Sequence, residues 1–172
     1  MQFFEAVAAR RSTRAFLPRA VPAEALRRIL ETANLAPSAG NLQSYEIFVV
    51  TNKRKREDLA RAAREQIFIA GAPVSLVFAK HPALCAERYG QRAESLYSIQ
   101  DATIACAFAQ LAAAAQGLGS CWIGAFDAQA VRKIVGAPRG VTPVAILPIG
   151  YPSGRPGVQE RRGIEDLVRR LE

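Results

Sequence analysis

The sequence predicts a mixed α and β fold, on three observations. Four apolar stretches rich in β-branched and aromatic residues, "SYEIFVVT", "APVSLVFAK", "SCWIGAF" and "VTPVAILPIGY", interleave with stretches of helical periodicity. The chain has 172 residues and is 50% hydrophobic, enough for a sizeable core and unlike a disordered chain. Neither a repeat nor a linker-like stretch interrupts it, so residues 1–172 are expected to form one domain.

Each element follows from local pattern. Residues 2–10 read as a short helix with Phe3 and Val7 inward and Phe4 beside them. The segment "VPAEALRRILETANLAPSAGN" is a second helix: Pro22 suits a first turn, Leu26, Ile29, Leu30 and Ala33 form one apolar stripe, and Pro37 stops it. "SYEIFVVT" is expected to be a strand covered on both faces. "KRKREDLARAAREQIF" reads as a charged helix leading into the second strand, and residues 83–97 as irregular or weakly helical. "SIQDATIACAFAQLAAAAQGLG" is a long helix, apolar around most of its circumference, which places it in a large core or an interface; Gly117 and Gly119 are expected to end it. A short helix in "DAQAVRKIVGAP" separates the last two strands, and the tail is a Pro/Gly-rich arm carrying a terminal helix.

Charge and composition limit the function. Lys and Arg number 23 against 15 Asp and Glu, a net charge of +8. Such an excess suits nucleic acid, acidic surfaces or phosphate-bearing ligands. A basic nucleic-acid-binding module is one reading, but no aromatic-studded basic strand or recognition helix accompanies the charge. The three cysteines, Cys85, Cys106 and Cys121, follow no C-x-x-C pattern, and the single histidine, His81, has no metal-ligand partner in sequence. The N-terminus lacks the order of a signal peptide, and no apolar run reaches the ~18 residues of a membrane span. A cytoplasmic location without membrane contact is the expectation.

Four loops could carry chemistry. "RRSTRAF" sets Arg10, Arg11 and Arg14 around Ser12, a combination of fork-shaped donors and a hydroxyl that suits phosphate. "APSAGNLQSY" joins a helix to a strand through turn formers. The glycines of "GLGSCWIGAFD" let backbone N–H groups approach a ligand closely, although this is neither G-x-G-x-x-G nor a Lys-Ser/Thr phosphate loop. "ERRGIED" holds Arg161 and Arg162 in the tail. Each also reads as an ordinary solvated connection.

Taken in order, "RRSTRAF", "APSAGNLQSYEIFVV", "QIFIAGAPVSLVFA", "SIQDATIACAFAQLAAAAQGLGSCWIGAFD" and "PVAILPIGYPSGRP" resemble the FMN-dependent nitroreductase family in its short, compact members. The resemblance spans nearly the whole chain. It implies an α+β fold with a mixed central sheet flanked by helices. It also implies an intertwined homodimer, with residues 98–118 at the interface and an arm at about 151–172 reaching the partner subunit. "NLQSY" departs from the pattern, with Ser44 and Tyr45 where many relatives carry Pro and Trp.

By this resemblance Arg10, Arg11, Ser12 and Arg14 bind the FMN phosphate and nearby oxygens, and Arg161 and Arg162 close that site. Pro37, Ser38, Ala39 and Asn41 of the other subunit line the isoalloxazine. Gln66 meets its pyrimidine edge, and Gly124 and Ala125 offer backbone N–H groups to N5 and O4. The implied activity is an FMN-dependent NAD(P)H oxidoreductase, with hydride passing from NADH or NADPH through the flavin to a nitroaromatic, quinone or enone acceptor. No side chain has a catalytic role and no metal is involved. The same core also fits dehalogenation or flavin fragmentation.

Overall fold

The computed structural model describes residues 2–154 and 156–171. Met1, Arg155 and Glu172, which belong to the two ends of the expected domain and to its arm, lie outside the described residues. Along the chain run α1 (Phe3–Ala9), α2 (Ala23–Asn34), β1 (Tyr45–Val50), α3 (Lys53–Ala62), α4 (Phe68–Gly71), β2 (Val74–Lys80), α5 (Ala83–Tyr89), α6 (Ser98–Ala115), β3 (Gly119–Ser120), α7 (Ala128–Val135), β4 (Thr142–Gly150) and α8 (Ile164–Leu167). A 3-10 turn at Ala39–Asn41 follows α2, and one π-helical turn at Ala93–Tyr97 leads into α6. The architecture is α+β.

Strands β2 and β4 form the centre of a sheet ordered β1-β2-β4-β3, antiparallel throughout its ladders. The parallel contribution is a single bridge between Ser12 and Ser120. Strand side chains alternate between faces, and both faces are apolar here. Leu76, Phe78, Leu147 and Ile149 pack with Ile29 and Ala33 of α2 and Ala105, Cys106 and Ala109 of α6. On the other face Val77 and Ile146 pack with Leu59 of α3, Ile69 of α4 and Val131 of α7. The result is a sheet enclosed by two helical layers.

Several expectations are corrected. Strand β1 meets both helical layers, Tyr45 and Ile47 on one and Phe48 and Val50 on the other, but as the sheet edge it is only half-buried, with Val49 exposed. The inward side of α1 is Ala6 alone, and Phe3, Phe4 and Val7 are 64%, 82% and 46% exposed. The charged helix stops at Ala62, because Arg64 and Glu65 both take left-handed φ of 58°. Of the third predicted strand, residues 120–126, only Ser120 pairs in β3, together with Gly119 before it, and Ile123 bonds Ile146 beyond a break. Residues 83–97 are more ordered than expected, as α5 and the π turn.

Helix α6 is covered more fully by its own chain than its all-round apolarity implied. Ala102, Ala105, Cys106, Ala109 and Ala113 are all fully buried. Alanine is the cause, since it lets α2 and the sheet approach the helix axis closely. Large apolar side chains left in solvent include Phe3 and Phe4 of α1, Leu35 after α2, Ile67 before α4, and Val158, Ile164, Leu167 and Leu171 of the tail.

Gly117, with φ of 73°, ends α6 in the left-handed conformation that glycine adopts without strain. Gly119 serves close approach instead: a Cβ there would lie 2.5 Å from Thr13 Oγ1 and 2.8 Å from Thr13 Cβ. Thr13 is itself buried, so the contact cannot open without moving the backbone. Gly119→Ala is expected to destabilise the fold by about 1–3 kcal/mol, the usual cost of overpacking. Urea unfolding measures the loss.

Candidate functional site

The basic loop is held by backbone, not by its own charges. Thr13 N–H donates to Ser120 O at 2.9 Å, Leu17 N–H to Tyr151 O at 2.8 Å, and Ser153 N–H to Ala15 O at 3.0 Å. Residues 12–17 therefore run along the ends of β3 and β4. Thr13 points inward while its neighbours Ser12 and Arg14 are exposed. Arg10, Ser12 and Arg14 all line a cavity of about 610 Å³, and Arg161 reaches it from the tail. Arg11 lines it as well, although its Nη1 is turned back to donate to Ala8 O and Arg10 O at the end of α1. Arg162 is not part of the lining and donates to Asp166 O at 2.9 Å.

Cys121 is buried beneath this loop. Burial pushes its thiol up, while the charges of Arg14 and Arg10 and a hydrogen bond with Ser12 oppose the shift. Burial also drives the Cys106 thiol well up. Both therefore stay protonated at neutral pH, which suits packing and not nucleophilic work.

Gln66, Gly124 and Ala125 meet at a neighbouring point. The Gln66 side-chain amide donates to Ala63 O at 2.8 Å and to Ala125 O at 3.4 Å. Asp127 fixes the following turn: its N–H donates to Ala62 O, and its carboxylate accepts from Gln129 N and Ala130 N to cap α7. Gly124 and Ala125 are exposed, and a Cβ at Gly124 would have only Trp122 Nε1 nearby, at 3.8 Å. Their peptide groups are thus open to a ligand. The Arg14 guanidinium lies 6.0 Å from the centre of the Phe68 ring, which links the basic loop to this corner.

Pro37, Ser38, Ala39 and Asn41 do not line the basic cavity of their own chain. They form a separate rigid loop. Gly40, Asn41 and Gln43 take φ of 58°, 57° and 43°. The Gln43 side-chain amide donates to Ser38 Oγ at 2.9 Å and to Asn41 Oδ1 at 2.7 Å. The main tether is Asp101, in the first turn of α6 and 1% exposed. Its carboxylate accepts from Ala39 N at 2.8 Å, Ser44 N at 3.2 Å and Ser44 Oγ at 2.5 Å.

Sequence reading missed Asp101. Its signal was a lone acid near the start of an otherwise apolar helix. The same contact accounts for Ser44, which gives Asp101 two donors where a proline would give none. Tyr45 donates to Ala33 O at 3.1 Å, and burial first, then the Asp101 charge, raises its phenol above the ordinary value.

Replacing Asp101 by Ala would orphan three donors in a buried site, each worth about 1–3 kcal/mol when left unpaired. Asp101→Ala is expected to lose about 3 kcal/mol or more of stability in urea unfolding. Asp101→Asn, which keeps an acceptor oxygen, should lose less.

A set of cations and a hydroxyl on an anchored strand, beside open peptide groups, can hold a flat ligand that ends in an anion. Among the described residues no group of three or more His, Cys, Asp and Glu could hold a metal, and no helix is long and apolar enough to cross a membrane.

Comparison with known proteins bears on the chain's fold and family. The chain is 32% identical to an NADH dehydrogenase of Thermus thermophilus, over 92% of this chain and 91% of that protein. It is 26% identical to the FMN reductase (NADPH) of Bacillus subtilis, over 91% of this chain and 68% of that protein. Its fold matches the solved NADPH:FMN oxidoreductase of Vibrio harveyi complexed with NAD+ at a TM-score of 0.90 and 26% identity, covering 99% of this chain and 77% of that one. A sequence model described as the nitroreductase family matches residues 7–151. The chain belongs to the nitroreductase family.

Proposed function

We propose that this protein is an FMN-dependent NAD(P)H oxidoreductase of the nitroreductase type that works as a homodimer. One observation carries the reading: Arg10, Ser12 and Arg14, fixed by the backbone ladder, line one cavity together with Arg161 of the tail. The fit to a phosphate is chemical as well as spatial, since no carboxylate is among the described residues that line the cavity. FMN, when bound, supplies two-electron redox chemistry between NADH or NADPH and an acceptor such as a nitroaromatic, quinone or enone. The relatives named FMN reductase and NADPH:FMN oxidoreductase support that cofactor pair.

The chain's own part is binding, orientation and polarity. Arg10, Ser12 and Arg14 hold the phosphate, with Arg11 behind them and Arg161 closing from the tail. The Gly124 and Ala125 peptide N–H groups meet the ring system, and Gln66 orients its polar edge. Donors aimed at a ring that gains negative charge on reduction favour the reduced form. Pro37, Ser38, Ala39 and Asn41 come from the second subunit, consistent with their separation from the cavity in one chain. The buried, protonated thiols of Cys106 and Cys121 give no sign of a covalent step.

Exposed apolar side chains on α1 and the tail are the surface that a second copy would bury, with the arm at 151–172 crossing to the partner. A dimer with two FMN is expected in light scattering and flavin quantification. Phe4→Glu should shift the mass toward monomer, and a wild-type monomer that retains flavin would refute the dimer.

Arg14→Ala should raise the FMN dissociation constant about tenfold to hundredfold, the worth of one charge-assisted hydrogen bond, with the circular dichroism spectrum unchanged. Fluorescence quenching of FMN reads the constant. If Arg10→Ala and Arg14→Ala both leave it unchanged, the phosphate assignment is wrong.

A further inference from the structure

Outside the basic cavity, a second cationic cluster stands on α5 and the π turn. The Tyr89 and Tyr97 rings pack with centres 4.6 Å apart. Each carries an arginine: the Arg88 guanidinium carbon lies 5.5 Å from the Tyr89 ring centre, and that of Arg92 lies 5.0 Å from the Tyr97 ring centre. Arg92 Nε also donates to the Tyr97 hydroxyl at 3.1 Å. The π turn at Ala93–Tyr97 places Tyr97 so that its ring reaches Tyr89.

Two facts give the cluster a direction. It leans on the 38–43 loop, since a Cβ at Gly40 would lie 2.7 Å from both Arg88 Nη1 and the Tyr89 hydroxyl. Its charge is also unspent. Glu94, in the same segment, pairs with Lys80, whereas neither Arg88 nor Arg92 enters an ion pair among the described residues. Neither arginine lines the cavity assigned to the phosphate.

We infer that Arg88, Tyr89, Arg92 and Tyr97 form a recognition platform for the acceptor and give the site a preference for planar aromatic anions, such as aromatic carboxylates and sulfonated quinones. The inference rests on the proposed reading of the 37–41 loop as the lining of the flavin ring. A ligand lying beside that ring would meet the platform at its edge. A guanidinium stacked on a tyrosine is flat, partly dehydrated and always charged, so it attracts a flat anion through stacking and charge together. An ammonium in solvent would supply charge alone.

The test compares binding of 2-naphthoate with that of its neutral analogue 2-naphthamide, followed by ligand fluorescence in the FMN-loaded protein. Wild type should bind naphthoate more tightly. The double variant Arg88→Gln, Arg92→Gln should lose about tenfold in naphthoate affinity and leave naphthamide within about twofold. Arg54→Gln on α3 is a control for general positive charge, and it should leave both ligands unchanged. The KM for a sulfonated quinone should rise in the double variant, with kcat and the KM for NADPH steady.

Equal losses for both ligands, a loss matched by the Arg54 variant, or a rise confined to the KM for NADPH would each overturn the platform. The parent reading fails separately. A protein that takes up no FMN, yet still separates naphthoate from naphthamide through Arg88 and Arg92, would remove the flavin reading and with it the acceptor role, leaving an aromatic-anion site alone.

Discussion

The constraint on which the structure depends is the burial of β2 and β4 on both faces. Every residue of β2 from Val74 to Ala79 is buried. A strand in that position has no solvated side, so both faces need a helical layer. Helices α2 and α6 meet that need on one face, and α3, α4 and α7 on the other. Once the layers are in place, the ends of β3 and β4 become a rigid ledge. The basic loop is laid along that ledge by backbone hydrogen bonds from Thr13, Leu17 and Ser153. Its arginines need not hold the loop in place and are left to face a ligand.

A second tether works through side chains. The Asp101 carboxylate, buried in the first turn of α6, gathers donors from Ala39 and Ser44. A buried carboxylate needs several donors, because the protein must replace the water it has lost. The 37–44 loop supplies them and becomes as rigid as the helix that bears Asp101. Ser44 and Tyr45 are therefore part of a local solution. Ser44 completes the Asp101 shell, and the Tyr45 phenol reaches the end of α2 at Ala33 O. The segment from α5 to the π turn rests on the same loop, with Gly40 giving the room.

The sequence by itself determined the kinds of elements and the chemistry of the loops. The 3.6-residue stripe of Leu26, Ile29, Leu30 and Ala33 is a property of neighbours in the chain, and so are the β-branched run of β2 and the arginines around Ser12. Tertiary structure decided which faces were covered and which loops met. The outward side of α1, the edge position of β1 and the enclosure of α6 within its own chain depend on partners far away in sequence. Apolar periodicity shows that a face needs cover and not what will cover it. Asp101 was illegible for the same reason: its donors lie 57 and 62 residues away, and a hydrogen-bond shell assembled across that distance leaves no mark in local pattern. Arg161 and Arg162 stand side by side in sequence, yet only Arg161 reaches the cavity, because the fold of the tail turns Arg162 onto Asp166.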